Sequence, residues 1–583
     1  MSAPCNGTAA TNGTFTDMTQ TIDRSADLSQ PLDRLSPDET LKHESDQLRG
    51  TILQSLADGV TWSVSASDAK LLKFQGIYQQ DDRDVREERR RQKLEPAYQF
   101  MARVRLPGGV CTPAQWLQID SLARTYGGNT LKLTTRQTFQ FHWLLRHGLR
   151  PVLQGLHAVG LDTVAACGDD SRGVMCAVNP ELSALHAELA GLARQSSDRA
   201  IPRMQAYREI WYGEARQPAE GPEEPFYGAT YMPRKFKIGF VLPPSNDIDV
   251  YAQDLGYIAI VENGEITGFN VAIGGGMGRI DRVATSYPRV ASVIGYIAKD
   301  RLFTTSEAVM SVQRDYGNRA DRARARFKYT IDDKGLDWIA AEIARRQGFA
   351  FEPARPVSFT GNGDTLGWSK GEDGRHHFTL YIRSGRLVAG SRDGLMDGLR
   401  AVAEVHKGSF RLTPNQNLII ADIPARERAR IAKLLAAHGL DGTFSGSALR
   451  QHAMSCVAFP TCGLAMAESE RYLPDLLDRI EPLLARHGLS ETPITLRITG
   501  CPNGCARPYI AEIALTGRAP GKYNLYIGGG FHGQRLATLV QENVGEAQIL
   551  AHLDELFGRY AAERQPEEHF GDFCVRSGAA EAA

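Results

Sequence analysis

The sequence is short of everything that would take it out of a reducing, aqueous compartment. No stretch offers the roughly 20 unbroken apolar residues that a bilayer-spanning helix requires. The first residues, "MSAPCNGTAATNGTFTDMTQT", have neither the basic n-region nor the apolar h-region of a secretory leader, and Asp17 and Asp23 weigh against an organelle transit peptide. Nine cysteines in 583 residues are too few and too uneven for a disulfide framework. A cytoplasmic location is therefore expected, and the two Asn-Gly-Thr triplets near the start are not expected to carry glycans. Excess charge is missing too: 67 basic residues stand against 68 acidic ones, which removes bulk attraction to nucleic acid or to a membrane surface. Also missing are a dinucleotide fingerprint after a strand, a P-loop and an evident flavin module, so the chain is not expected to oxidise a nicotinamide cofactor itself. Core is not lacking, since 42% hydrophobic residues over this length suffice for several domains. Residues 1 to about 45 read as a solvated arm.

Four of the cysteines fall in two tight pairs, Cys456 and Cys462 in "SCVAFPTCGLA" and Cys501 and Cys505 in "TGCPNGCARP". Structural zinc is usually gripped by C-x2-C knuckles, and the five residues between the first pair, Phe459 and Pro460 among them, are long for that. An iron-sulphur cubane, with its metal corners set apart, is better served by such loops. Gly463, Pro502 and Gly504 let the loops turn and bring backbone N–H groups towards sulphur. Zinc and free thiols remain alternatives. Cys5, Cys111, Cys167, Cys176 and Cys574 read as unpaired thiols.

The chain also repeats itself. "LKLTTRQTFQFH" (131–142) is echoed by "FRLTPNQNLII" (410–420), and "GFNVAIGGGMG" (268–278) by "KYNLYIGGGFHG" (522–533). Two copies are too few for a solenoid and suggest a pseudo-twofold fusion with a ligand cleft between the copies. The differences between the copies are as informative. Lys132, Arg136 and Gln140 of the first copy stand where the second has Arg411, Asn415 and Ile419, and Arg103 and Arg105 are set approximately against Leu380 and Ile382. Alternation would put Arg103 with Arg105, Lys132 with Thr134 and Arg136, and Lys235 with Lys237 on shared strand faces. With Arg172 in "GDDSRGVMC", such faces could hold a polycarboxylate anion. Most Lys and Arg merely solvate a surface; what singles these out is their grouping in one copy. His142 invites a haem-ligand reading, but its alternation with Gln140 on a strand favours a structural one. The triple-glycine runs at Gly274 and Gly528 lack a phosphate-loop setting and point to close backbone approach to a bulky ring, or to plain turns.

Taken together, "CVAFPTC", "TGCPNGC", "LTTRQTFQFH", "YQQDDRDVREERRRQKLEP" and "PRKFKIGFVLPP" resemble the sirohaem and 4Fe-4S sulfite and nitrite reductase family, from about residue 43 to residue 576. The resemblance implies an α+β, internally duplicated fold. It divides into an N-terminal arm (1–75), a ferredoxin-like half-domain (76–150), a sirohaem-binding α/β domain (151–345), a second half-domain (346–424) and a cluster-bearing α/β domain (425–583). It implies that Cys456, Cys462, Cys501 and Cys505 bind the cluster, with Cys505 also bridging to the sirohaem iron. Arg103, Arg172, Lys235 and Lys237 are implied around bound sulfite, and Lys132, Thr134, Arg136, Gln140, His142, Arg234 and Asn503 along the macrocycle. Lys132 stands where relatives have an arginine, keeping charge but losing the bidentate fork. Some relatives link a tyrosine to a cysteine beside the sirohaem, which would pair Tyr78 with Cys167. The implied reaction is six-electron reduction of sulfite to sulfide in assimilatory sulfur metabolism and cysteine biosynthesis. Electrons would come from NADPH through the FAD and FMN of a separate flavoprotein (alpha) subunit in a hetero-oligomer, with the N-terminal segment as a docking element. A ferredoxin-dependent sulfite or nitrite reductase is the alternative within the family; a non-catalytic iron-sulphur carrier or a zinc-stabilised binding module is the alternative outside it.

Overall fold

The structure, a computed structural model, describes residues 31–218, 221–442 and 444–581. Residues 1–30, with Cys5 and the Asn-Gly-Thr triplets, lie outside the described residues. The remainder of the expected solvated arm is only partly solvated: Pro37–Glu44 is a helix that exposes His43 and Glu44 but buries Glu39 and Lys42. Lys42 donates to Glu39 at 2.6 Å and to the Met232 carbonyl at 2.9 Å, because a lysine removed from water must find partners.

The strands fall into four groups of five. The first comprises β1 (Ile77–Asp81), β2 (Tyr98–Arg103), β3 (Val110–Cys111), β4 (Thr130–Leu133) and β5 (Phe139–Leu144). The second comprises β6 (Met175–Cys176), β7 (Ile238–Val241), β8 (Leu255–Glu262), β9 (Glu265–Ile273) and β10 (Ser292–Ala298). The third comprises β11 (Gly367–Lys370), β12 (His376–Leu380), β13 (Arg386–Val388), β14 (Ser409–Leu412) and β15 (Leu418–Ile423). The fourth comprises β16 (Ala453–Ser455), β17 (Leu496–Thr499), β18 (Ile513–Ala519), β19 (Lys522–Ile527) and β20 (Thr538–Val544).

The duplication shows in the pairing. Sheets β6-β7-β8-β9-β10 and β16-β17-β18-β19-β20 have the same order, with the first three strands parallel and the last two antiparallel. The half-domain sheets are β1-β2-β5-β4-β13 and β11-β12-β15-β14-β3. Each therefore borrows its last strand from the other copy, and the exchange covers an edge that would otherwise expose unpaired N–H and C=O groups. Helix Pro113–Tyr126 lies at this junction. It starts on a Thr112–Gln115 capping box and buries Trp116, Ile119 and Ala123 on one face. The Trp116 ring meets Phe139 of the first half-domain and Phe410 of the second, at 5.6 and 5.1 Å between centroids. One apolar core runs through both half-domains and the β6–β10 sheet, and a second lies under the β16–β20 sheet.

The glycine runs explain themselves here. A Cβ on Gly275 would stand 2.2 Å from the Tyr251 carbonyl oxygen, and one on Gly529 would stand 2.2 Å from that of Ala511. The approach is to protein backbone, at equivalent points of the two copies. The ladder also corrects one correspondence. Gln140 lies opposite Arg103, and its counterpart Ile419 lies opposite Thr379, so Arg103 matches Thr379 rather than Leu380. Aligning the copies by general likeness slips a strand by one residue, which exchanges its faces.

Candidate functional site

The cysteine turns sit where the two copies meet. β16 ends at Ser455 and delivers Cys456; β17 ends at Thr499 and delivers Cys501 and Cys505. The two strands pair in parallel, so both turns leave the same end of the sheet. Gly500 N–H points at Cys456 Sγ at 3.3 Å and Asn503 Nδ2 at Cys501 Sγ at 3.6 Å, supplying donors to sulphur. Gly504 turns with φ +63°, and a Cβ there would crowd the Met277 carbonyl oxygen at 3.0 Å. Burial, and after it the charge of Cys505, push the thiols of Cys456 and Cys462 upward and that of Cys501 to about 12. The four side chains thus share one electrostatic neighbourhood.

The basic residues of the first copy face this neighbourhood. Thr135 Oγ1 donates to the Cys505 carbonyl at 2.9 Å, and Arg507 Nη1 donates to the Thr135 carbonyl at 2.6 Å. Lys235 and Lys237 flank the buried Phe236 and are half-buried. Neither ammonium has a hydrogen-bond or ion-pair partner among the described residues. Burial pushes both lysines well below their ordinary pKa; Arg234, Arg172 and Arg326 add to this at Lys235, and Arg326, Lys235 and Arg136 at Lys237. Arg136 donates to Gln253 Oε1 at 3.0 Å and to the Gly173 carbonyl at 2.7 Å. Burial, Arg172 and Arg507 push it down to about 9. Arg103 donates to Cys167 Sγ at 2.7 Å. It also reaches Gln140, whose amide oxygen, assigned from its surroundings, lies 2.5 and 2.9 Å from the guanidinium. Arg172, buried, donates to the Gly168 carbonyl at 3.2 Å; burial opposes its charge, yet Cys167, Tyr78 and Asp170 raise its pKa. Tyr78 is pushed up to about 12, by burial first and then by Cys167. Lys235, Lys237, Arg103, Arg136 and Arg172, without an ion-pair partner among the described residues and beside four thiols, suit a multiply carboxylated ligand and a thiolate-bound cluster.

The sequence profile of the nitrite and sulphite reductase 4Fe-4S domain matches residues 195–351. That of the nitrite/sulfite reductase ferredoxin-like half domain matches twice, over residues 91–159 and 369–438. Over 556 residues the chain is 67% identical to the sulfite reductase (NADPH) hemoprotein beta-component of Nitrobacter hamburgensis, covering 95% of this chain and 96% of that protein. Over 544 residues it is 56% identical to the hemoprotein beta-component of Xanthomonas oryzae pv. oryzae, covering 93% and 96%. The chain belongs to the nitrite and sulphite reductase family. Its fold is likewise that of the solved Mycobacterium tuberculosis NirA protein, with TM-score 0.74 at 23% identity over 93% of this chain and 96% of that one.

Within this family fold, some residues singled out from sequence stand elsewhere than alternation predicts. Arg105 does not join Arg103, being spent on Asp162 at 2.8 Å and Asp198 at 2.9 Å. β4 ends at Leu133, so Lys132, Thr134 and Arg136 do not continue one strand face. Lys132 is buried and donates to Glu470 at 2.8 Å and to the Ser384 carbonyl. Thr134 Oγ1 accepts from the N–H groups of Arg136 and Thr138 and so closes the turn. His142 is buried, neutral and held well below its ordinary pKa by burial and by Arg386, with Nδ1 unpartnered. Arg234 leans on Asp169 at 3.4 Å. Residues the sequence reading passed over carry as much of the frame. Glu470 joins Lys132 to Arg386, and buried Asp249 of the first copy pairs with Arg497 and Arg507 of the second. Arg83 reaches the cysteine loop. Their only signal was charge, which does not name a partner.

Proposed function

We propose that this chain is the haemoprotein component of an NADPH sulfite reductase, reducing sulfite to sulfide by six electrons at a coupled sirohaem and 4Fe-4S centre in assimilatory sulfur metabolism and cysteine biosynthesis. One observation carries the reading: the Thr135–Cys505 hydrogen bond seats the cysteine turn of the second copy on the basic loop of the first. The units of this reading are the arm (1–75), the half-domains (76–150 and 346–424) and the sirohaem and cluster domains (151–345 and 425–583). Cys456, Cys462, Cys501 and Cys505 would hold the cluster, Cys505 also reaching the sirohaem iron. Arg136, Gln140, His142, Arg234 and Asn503, with Lys132 and Thr134 behind them, would hold the macrocycle. When bound, the two groups supply a Lewis-acidic iron and an electron store.

The protein's own part is charge and protons. Arg103 and Arg172 offer fixed guanidinium forks to an oxyanion. Lys235 and Lys237, whose burial weakens their hold on a proton, supply the protons with which the oxygens of sulfite leave as water. Electrons come from a separate flavoprotein that oxidises NADPH, and the assembly is cytoplasmic. Among the described residues no helix is long and apolar enough to cross a membrane. The test is an anaerobic assay with three arms. Sulfide is expected from sulfite with an artificial reductant and with NADPH plus flavoprotein, but not with NADPH alone. No sulfide under the artificial reductant would refute the activity, and sulfide from NADPH alone would refute the division of labour. Nitrite in the same assay tests the preference between the two anions.

A further inference from the structure

The charged segment that runs on from Tyr78 to Pro96 has so far met the centre only at Tyr78 and Arg83, and its first turn lies against a cysteine loop. Arg83 follows β1 after Asp82. Its backbone N–H donates to the Pro460 carbonyl at 3.0 Å. Its Nη1 lies within 3.2–3.3 Å of three carbonyl oxygens, those of Cys462, Gly463 and Ala465. Its guanidinium stacks on the Phe459 ring, 4.8 Å from the centroid. The next residue, Asp84, pairs with Arg471 at 2.6 and 3.1 Å beyond the far end of the same loop. The loop needs such a grip. Gly463 is exposed and Leu464 is 68% exposed, so no apolar packing holds the chain just after Cys462. Carbonyls gathered on one side of a turn also repel each other unless a donor faces them.

We infer that Arg83 is a positioning residue for the cluster, clamping the Cys462 loop against the first half-domain and placing a positive charge beside that ligand. This rests on the reading of Cys462 as a cluster ligand. A guanidinium there favours the more negative, reduced state of a thiolate-bound centre. Its planar guanidinium, which a lysine lacks, also lies over the Phe459 ring and so holds the loop in register.

The experiment uses the holoenzyme, wild type, Arg83→Lys and Arg83→Met. The cluster's midpoint potential is followed by a redox titration read by electron paramagnetic resonance, and iron release to ferrozine is timed under argon. Arg83→Met is expected to shift the potential negative and to release iron at least about fivefold faster. Arg83→Lys is expected to keep the potential near that of the wild type while releasing iron at an intermediate rate. Equal potentials and equal release in all three overturn the inference, as does a lowered melting temperature with both cluster readouts unmoved. If Arg83→Met does not fold, wild-type release from Arg83→Lys overturns it. Absence of any cluster signal in the wild type would instead strike at the reading of the cysteines.

Discussion

Lys235 and Lys237 matter because of what does not stand beside them. A half-buried lysine among cations, with no ion-pair partner of its own, is held charged more firmly once an anion arrives, and it gives up its proton more readily than a lysine in water. Replacing either by methionine is therefore expected to lower kcat by about 10²-fold while iron and pigment contents stay at wild-type level. The pH profile adds a sign. Both pKa values lie below 10.5, so activity should fall as pH rises through this lowered range, and Lys237→Arg should move the alkaline limb upward. Glu470 makes the opposite case. Burial would raise its pKa, but Arg386 and Lys132 hold it down to about 2 against an ordinary 4.5. The stability it lends is present above 4.5 and is lost as pH falls towards 2. Glu470→Gln leaves Lys132 buried without its counter-charge, at a cost of about 3 kcal/mol. In urea unfolding this deficit should be full near pH 7 and should shrink in acid. At this scale the cysteines stood out because of their spacing, and the fold sets both pairs at one end of a sheet. Glu470 and Arg83 were not, because their partners are set by the fold, across hundreds of residues of chain.

Among elements, the repeat was visible because strands of one register carry similar patterns, and the two larger sheets reproduce each other strand for strand. The strand exchange was invisible: β3 has two residues and β13 three, too few for any periodicity to declare a strand. The one-residue slip at Arg103 has a related cause. Gly109 and Gly385 occupy equivalent tight turns, a Cβ on either meeting a carbonyl oxygen of the other copy at 2.6 or 2.4 Å. Counting back from these turns aligns Arg103 with Thr379; matching the flanking strands by likeness does not. The triple-glycine turns give a test at this scale. Gly275→Ala and Gly529→Ala are each expected to cost about 1–3 kcal/mol in chemical unfolding. Gly191→Ala, in helix Ser183–Ala200 with open space around it, should be neutral or gain up to about 1 kcal/mol.

For the whole molecule, duplication has been turned into division of labour. On the proposed reading each copy supplies half of one centre, cations from the first and thiols from the second; Asp249 binds Arg497 and Arg507 across the seam. Because each half-domain sheet is completed by the other copy, a fragment ending at residue 345 leaves β4 without β13. Such a fragment is expected to lack a cooperative unfolding transition in calorimetry. The measurement that tests the central claim most directly is pigment and metal analysis of the purified, full chain with its optical spectrum. The account predicts extractable sirohaem together with iron and acid-labile sulfide for one 4Fe-4S cluster, and a spectrum with a chlorin-type Soret and red band. Iron and sulfide without sirohaem, or a protein with no visible absorption, would contradict it.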